Sequence, residues 1–162
     1  HGSWARVAVA DNVRDLLLAV DPVVGGLRLS YQVNTWGWPE AQKIPEVRRM
    51  LQALGAGGRS IGGDTIWLRP ALDAVYNSAE DNVVVTDCRY PNEMFALRAE
   101  FNALRVWVGR PGVGPCNDHE TERTLKDIDY ILENLGSLAD LECAVAEMLV
   151  WAAERSTAWV VE

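Results

Sequence analysis

Two periodicities run through this chain. Short valine-rich and isoleucine-rich runs are separated by longer stretches in which apolar residues recur three and four positions apart. The first run, Trp4 to Ala10, carries Val7 and Val9 and predicts a strand. A helix is expected from Asp11, with Val13, Leu16, Leu17 and Val20 as its apolar stripe, until Pro22 and Gly25-Gly26 end it. From Leu27 to Lys43 the pattern is less regular, because Trp36, Gly37, Trp38 and Pro39 interrupt any long helix. Pro45 suits the first turn of the next helix, and Val47, Met50, Leu51 and Leu54 follow at i, i+3, i+4 and i+7. Gly55 is expected to stop this helix, leaving the glycine-rich stretch through Gly63 as a loop. A further helix is expected from about Asp64 to Tyr76, with Pro70 in its first turn or at a kink.

Asn82 to Thr86 is a continuous apolar run of the kind that forms strands buried on both faces. Pro91 opens a helix with Met94, Phe95, Leu97 and Phe101, and Leu104 to Val108 predicts another strand. A Gly/Pro-rich loop from Pro111 to His119 and a short polar helix precede a brief strand, Tyr130 to Leu132. Ser137, with Asp140 three residues on, is a capping-box-like start for a long helix. Its stripe is Leu138, Leu141, Val145, Met148, Leu149 and Ala152. Strands alternating with helices predict an α/β fold of parallel β-α-β units, an open parallel sheet with helices on both faces. Ligands of such sheets bind beyond the carboxyl ends of the strands. That rule selects Asp11 to Arg14, Asp87 to Glu93, and the residues from Arg110 onward.

The 162 residues suit one compact domain, and 49% of them are hydrophobic, ordinary globular composition. No apolar run approaches the roughly 20 residues that span a bilayer, and no signal peptide is evident, so no membrane partner is expected. The formal net charge of -8, without a Lys/Arg block, argues against a nucleic-acid polymer as partner. A free nucleotide differs, because a few converging arginines bind it inside an acidic protein. Cys88, Cys116 and Cys143 are far apart and form no C-x-x-C pair, so reduced thiols in a cytoplasmic protein are expected.

Four constellations carry the candidate chemistry. Asp87 and Arg89, between a strand and a Pro-started helix, place an acid and a bidentate phosphate ligand at the sheet's carboxyl edge. Asp87 would hold Mg²⁺ through water or orient the arginine; a helix cap or a mutual ion pair is the equally weighted structural alternative. Asp11 and Arg14 lie one helical turn apart and can face one cleft, or form a surface pair. Arg48 and Gln52, four apart on the Pro45 helix, suit a phosphate and a base edge, with Arg59 beyond them; most such helical arginines are simply solvated. Arg110 to Arg123 has the composition of a mobile lid, or of an ordinary surface loop. His119 has no second His or Cys at ligand spacing, so a metal role for it is not expected. The chain contains no H-E-x-x-H and no G-x-x-x-x-G-K-[ST].

In this order the segments resemble the bacteriophage-type deoxynucleoside monophosphate kinases, of the P-loop nucleoside monophosphate kinase class, from about Trp4 to Leu149. Thr86-Asp87-Cys88-Arg89-Tyr90-Pro91-Asn92-Glu93 is similar to the family's D-V-R-F-P-N-E segment. Ala10-Asp11 with Arg14 resembles A-D-P-L-[RK], with Asn12 in place of proline. Trp38, Ala41 and Lys43, then the run from Pro45 to Gly55, resemble W-x-x-A-K and P-E-V-R-x-x-L-Q-x-[LM]-G. His119 to Glu122 is similar to H-x-S-E, and Asn134 to Leu138 to N-D-G-[ST]-L, with Leu135 replacing the acid. Ala56-Gly57-Gly58-Arg59 stands where the family reads T-E-x-G-R, keeping only the last Gly-Arg pair.

The resemblance implies transfer of the γ-phosphoryl group of ATP to a deoxynucleoside 5′-monophosphate with Mg²⁺, in a single three-layer P-loop kinase-like domain over residues 1–162. Residues 27–63 would be the acceptor-binding helical segment, with Asp11, Arg14, Arg48, Gln52 and Arg59 at that site. Asp87, Arg89 and Arg110 would serve the phosphates and the metal, and His119 and Glu122 the lid at 110–123. Asn134, Gly136 and Ser137 would approach the adenine. The family's first strand and phosphate loop lie upstream of the position matched by His1, so this chain alone is not expected to turn over. An uncovered sheet edge would then favour self-association as a homodimer. A catalytically inactive kinase-derived binding protein and a related P-loop small-molecule kinase are the alternative expectations.

Overall fold

The computed structural model describes residues 2–112 and 128–157. It divides into two compact units, His1–Cys88 and Arg89–Glu162. The described residues form a mixed α/β structure with two parallel strand pairs and one antiparallel hairpin.

In the first unit, β1 (Trp4–Val7) pairs in parallel with β4 (Asn82–Val85), in the register Trp4↔Asn82 to Val7↔Val85. A parallel pair needs a crossover between its strands, and the intervening segment supplies it with helices. β1 ends at Val7, three residues earlier than expected, because Val9 and Ala10 already belong to helix α1 (Val9–Val20). Val9, Val13 and Leu17, spaced by four, form the buried stripe of α1, whereas Leu16 and Val20 of the expected stripe are exposed. The face turned inward is thus narrower than the apolar one. Val84 is 42% exposed, so β4 is not buried on both faces; among the described residues β1 is its one neighbouring strand.

Asp21 ends α1 in the left-handed region (φ 48°), and its N–H donates to the Leu17 carbonyl at 3.1 Å. Its carboxylate also accepts from the Ser30 N–H at 2.8 Å and from the Ser30 hydroxyl at 3.0 Å, capping the start of α2 (Leu29–Trp36). The backbone hydrogen bond from Ser30, opposed by partial desolvation and aided by the Ser30 hydroxyl and Arg28, holds the Asp21 pKa below its usual value. Between the two helices, β2 (Val23–Val24) and β3 (Leu27–Arg28) form a hairpin around Gly25 and Gly26, with φ of 61° and 84°. Two consecutive positive φ values are what a two-residue hairpin of matching twist requires, and glycine adopts them without strain. Buried Gln32 donates from Nε2 to the carbonyls of Val24 and Leu27, at 2.8 and 3.1 Å, fastening α2 to the hairpin.

Gly37 (φ 77°) separates α2 from the short helix α3 (Trp38–Ala41), where the irregular sequence pattern placed a break. Leu17, Val24, Leu29, Ala41 and Val47 form the core of this unit, with Val33, Trp38, Ile44, Met50, Leu51 and Leu54 packed against it. Helix α4 runs from Pro45 to Gly62, so Gly55 does not stop it and the glycine-rich stretch is helix rather than loop. The reason lies in the following turn. The Trp67 indole rests against Gly58, where a Cβ would lie 2.7 Å from the indole Cε2, and its Nε1 donates to the Gly55 carbonyl at 2.9 Å. A Cβ at Gly62 would likewise meet the Ile66 side chain. The glycines admit the returning chain to the helix surface, and this contact outweighs their weak helix propensity. Helix α5 (Leu68–Tyr76) begins four residues later than expected, with Pro70 in its first turn; it packs on α1 and β1.

In the second unit, α6 (Pro91–Phe101) is followed by β5 (Val106–Gly109), which pairs in parallel with β6 (Tyr130–Glu133). Of the expected α6 stripe Leu97 is buried, while Phe95 is 76% exposed. Glu93 is buried instead, and its Oε2 accepts the N–H groups of Arg89 (2.9 Å) and Tyr90 (3.1 Å) at the start of α6. β5 starts two residues later than expected, where Asp129 gathers the Arg105 N–H (2.8 Å), the Arg105 guanidinium (3.3 Å) and the Arg98 guanidinium (3.0 Å). Helix α7 (Leu138–Thr157) packs against β6, with the Tyr130 and Trp151 rings 4.9 Å apart and Arg155 over Trp151. Its start is capped as expected. The Ser137 N–H and hydroxyl both donate to Asp140 Oδ2 at 2.8 Å, and the Asp140 N–H donates back to the hydroxyl at 3.3 Å. Leu138, counted in the expected stripe, is 77% exposed. Among the described residues no helix is long and apolar enough to cross a membrane.

Candidate functional site

In the first unit the carboxyl ends of β1 and β4 meet the amino end of α1, and Asp87 occupies that junction. Its two carboxylate oxygens accept the N–H groups of Val9 at 2.7 Å and Ala10 at 2.8 Å. These are donors at a helix start that have no partner within the helix, and a carboxylate there also complements the helix dipole. Asp87 therefore caps α1, not the helix that follows it in sequence. Each carboxylate oxygen has a second lone pair, so this cap leaves capacity for water-mediated contact with a cation.

In the first turn of α1, Asp11 bridges two arginines. Its Oδ1 lies 2.6 Å from Arg14 Nη1 and its Oδ2 lies 3.0 Å from Arg6 Nη1. Arg14 also donates from Nη2 to Gln42 Oε1 at 3.4 Å, a long hydrogen bond. The expected Asp11–Arg14 juxtaposition is thus present, with Arg6 of β1 and Gln42 joined to it. Neither was selected from sequence, although strand alternation puts Trp4 and Arg6 on the exposed side of β1 and Ala5 and Val7 on the other.

Arg48 and Gln52 are exposed on α4, four residues apart, as the helical spacing predicts. Their neighbours are internally paired: Lys43 with Glu40 and Arg49 with Glu46, each at 2.6 Å. Arg59, in the last turn of α4, donates to the Asp64 carbonyl at 3.1 Å. It braces the turn that carries Trp67 to the helix.

In the second unit Arg89 is exposed at the start of α6 and Arg110 is exposed directly after β5. Arg110 lines a shallow depression with Trp107, Ile128, Ile131 and Glu133. The Asn134 N–H donates to the Gly109 carbonyl at 2.7 Å, so the Asn134–Ser137 turn leaves the same end of the β5–β6 pair. At Gly136 a Cβ would lie 3.0 Å from the Asp140 carboxyl carbon, which explains a glycine there. The Ser137 backbone hydrogen bond, then its hydroxyl, hold the Asp140 pKa below the ordinary value. His119, Glu122 and most of the 110–123 segment lie outside the described residues. Among the described residues no group of three or more His, Cys, Asp or Glu side chains is placed to hold a metal ion.

No curated protein matches the chain. A family model for deoxynucleotide monophosphate kinases matches residues 34–145, well over half of the chain. The match takes in Arg48, Gln52, Asp87, Arg89, Arg110 and the Asn134 turn, and begins after the Arg6–Asp11–Arg14 cluster. The chain therefore belongs to the deoxynucleotide monophosphate kinase family.

Proposed function

We propose that this protein transfers the γ-phosphoryl group of ATP to a deoxynucleoside 5′-monophosphate, and that its first unit carries the acceptor side of the reaction. Family membership supports a phosphotransferase acting on nucleotides. The observation that carries the acceptor assignment is Arg14, fixed by Asp11 at 2.6 Å beside the carboxyl ends of a parallel strand pair. A guanidinium held on one edge by a carboxylate keeps its other N–H groups for a phosphate. Arg48 and Gln52 add an exposed cation and an amide on α4, suited to the acceptor's phosphate and base edge.

In the reaction an oxygen of the acceptor phosphate forms a bond to the γ-phosphorus as the bond from that phosphorus to the β,γ-bridging oxygen breaks. The products are ADP and the deoxynucleoside diphosphate. Such transfers rest on positioning and charge neutralisation more than on covalent chemistry by the protein. Mg²⁺ would neutralise charge on the transferred group, and Asp87 suits contact with it through water because each of its oxygens retains a lone pair. Arg89 and Arg110 are assigned to the transferred phosphates, His119 and Glu122 to the lid at 110–123, and Asn134, Gly136 and Ser137 to the adenine. Parallel pairing in each unit supports the three-layer open-sheet architecture, and the composition supports a cytoplasmic setting.

The test is a calorimetric panel of the four common deoxynucleoside monophosphates, a ribonucleoside monophosphate and a sugar phosphate. It is paired with ³¹P NMR of ATP, Mg²⁺ and acceptor using the protein as its gene encodes it. At least one deoxynucleotide should bind in the millimolar range or tighter, and a new β-phosphate resonance should appear. Preference for the sugar phosphate, or binding without transfer, would refute the proposal.

A further inference from the structure

Two clusters among the described residues join one carboxylate to two arginines, and they differ in kind. In the Arg98–Asp129–Arg105 cluster Arg98 also donates to the Ala103 carbonyl and Asp129 accepts a backbone N–H, so the charges are built into the chain's framework. In the Arg6–Asp11–Arg14 cluster the single tie of Arg6 is to Asp11 Oδ2 at 3.0 Å, and its side chain is 53% exposed. The carboxylate uses one oxygen for each guanidinium, which fixes both on the same side of the α1 amino end. Each guanidinium has five N–H donors and each spends few of them here.

Within the cluster two guanidinium charges face one carboxylate, an excess of one positive charge among these three side chains in a chain whose formal net charge is -8. Arg49 and Arg28, also on the surface of this unit, are each matched by one carboxylate, Glu46 and Asp21. An excess cation anchored next to Arg14 has the charge and the donor geometry for the second and third oxygens of a phosphate monoester dianion.

We infer that Arg6 is a second phosphate-binding arginine of the acceptor site, and that Asp11 is a positioning residue that holds Arg6 and Arg14 together. This rests on the assignment of Arg14 to the acceptor phosphate. The ligand class is a phosphate monoester of a deoxynucleoside, recognised at its phosphate. Arg6 would therefore affect affinity for the monophosphate and leave affinity for the matching deoxynucleoside unchanged.

The experiment is calorimetric titration of the intact chain, Arg6→Gln, Arg6→Lys and Asp11→Asn with the best-binding deoxynucleoside monophosphate and with its deoxynucleoside. Arg6→Gln should weaken monophosphate binding about tenfold, as expected for losing one charged hydrogen-bonding partner. Arg6→Lys should recover part of the loss, and Asp11→Asn should match or exceed it. Unchanged monophosphate affinity in Arg6→Gln would overturn the inference while leaving the acceptor assignment intact. Equal weakening for deoxynucleoside and monophosphate would also overturn it, because Arg6 would then act on the fold. Failure of the unsubstituted chain to bind any monophosphate would defeat the acceptor assignment and this inference with it.

Discussion

Replacing Gly58 by alanine should destabilise the protein, although the position lies inside a helix where alanine is normally the better residue. A methyl group there would sit 2.7 Å from Trp67 Cε2, closer than real Cβ contacts come, and a tight 3.0 Å from Nε1. The indole must move, and its hydrogen bond to the Gly55 carbonyl at 2.9 Å is lost with it. Overpacking of this kind costs about 1–3 kcal/mol and the hydrogen bond about another 1 kcal/mol. The helix-propensity gain of alanine over glycine offsets roughly 1 kcal/mol. The net loss is about 1–3 kcal/mol, or several degrees in Tm for a chain of this size. Gly57 supplies the internal control, because a Cβ there meets nothing within 4 Å. Gly57→Ala should stabilise the protein by about 0.5–1 kcal/mol. Both midpoints can be followed by tryptophan fluorescence on heating and in urea. If Gly58→Ala is as stable as Gly57→Ala, the close approach of Trp67 to α4 does not explain why the glycine-rich segment is helical.

Asp87→Asn should lower the unfolding midpoint by about 1–2 kcal/mol, since an amide accepts only one of the two α1 N–H groups that the carboxylate now holds; an unchanged midpoint would remove its capping role. Gln32→Leu should cost about 1–3 kcal/mol in urea denaturation, because the Val24 and Leu27 carbonyls lose their side-chain donor in a buried place; neutrality would show that the hairpin holds itself. Burial of Asp129 by itself would raise its pKa, but the Arg105 hydrogen bonds and the charges of Arg98 and Arg105 outweigh it and keep the pKa below the ordinary carboxylate value. Its contribution to stability is therefore complete above the unfolded-state pKa of about 3.9 and is lost as pH falls through the lower folded value. Asp129→Asn should flatten the acid limb of a stability–pH curve, and an unaltered limb would place the titration elsewhere.

The periods of two and of three to four residues were enough to place most elements, because the stripe from Val47 to Leu54 and the β4 run have strong local signals. What lay beyond sequence reasoning came from contacts between distant positions. Nothing local says that Trp67 will lie against Gly58, so the glycines after Leu54 looked like helix breakers. Periodicity also does not reveal how wide the buried face is, and Leu16, Phe95 and Leu138 accordingly proved exposed. At the candidate site the spacing of Asp11 and Arg14 fixed their pairing, since a helical turn brings them together. Arg6 entered that cluster from another element, and the α1 cap came from Asp87, about 78 positions away in sequence. Such partners are visible only once the parallel pairing of β1 and β4 brings their carboxyl ends side by side.

The central claim is that Arg14, held by Asp11, grips the phosphate of a deoxynucleoside monophosphate. It is tested most directly by isothermal titration of the chain and of Arg14→Gln with one monophosphate and the matching deoxynucleoside. The unsubstituted chain should bind the monophosphate at least about tenfold more tightly than the deoxynucleoside, and Arg14→Gln should abolish most of that difference. Equal affinity for the two ligands in the unsubstituted chain, or a difference that survives Arg14→Gln, would contradict the account.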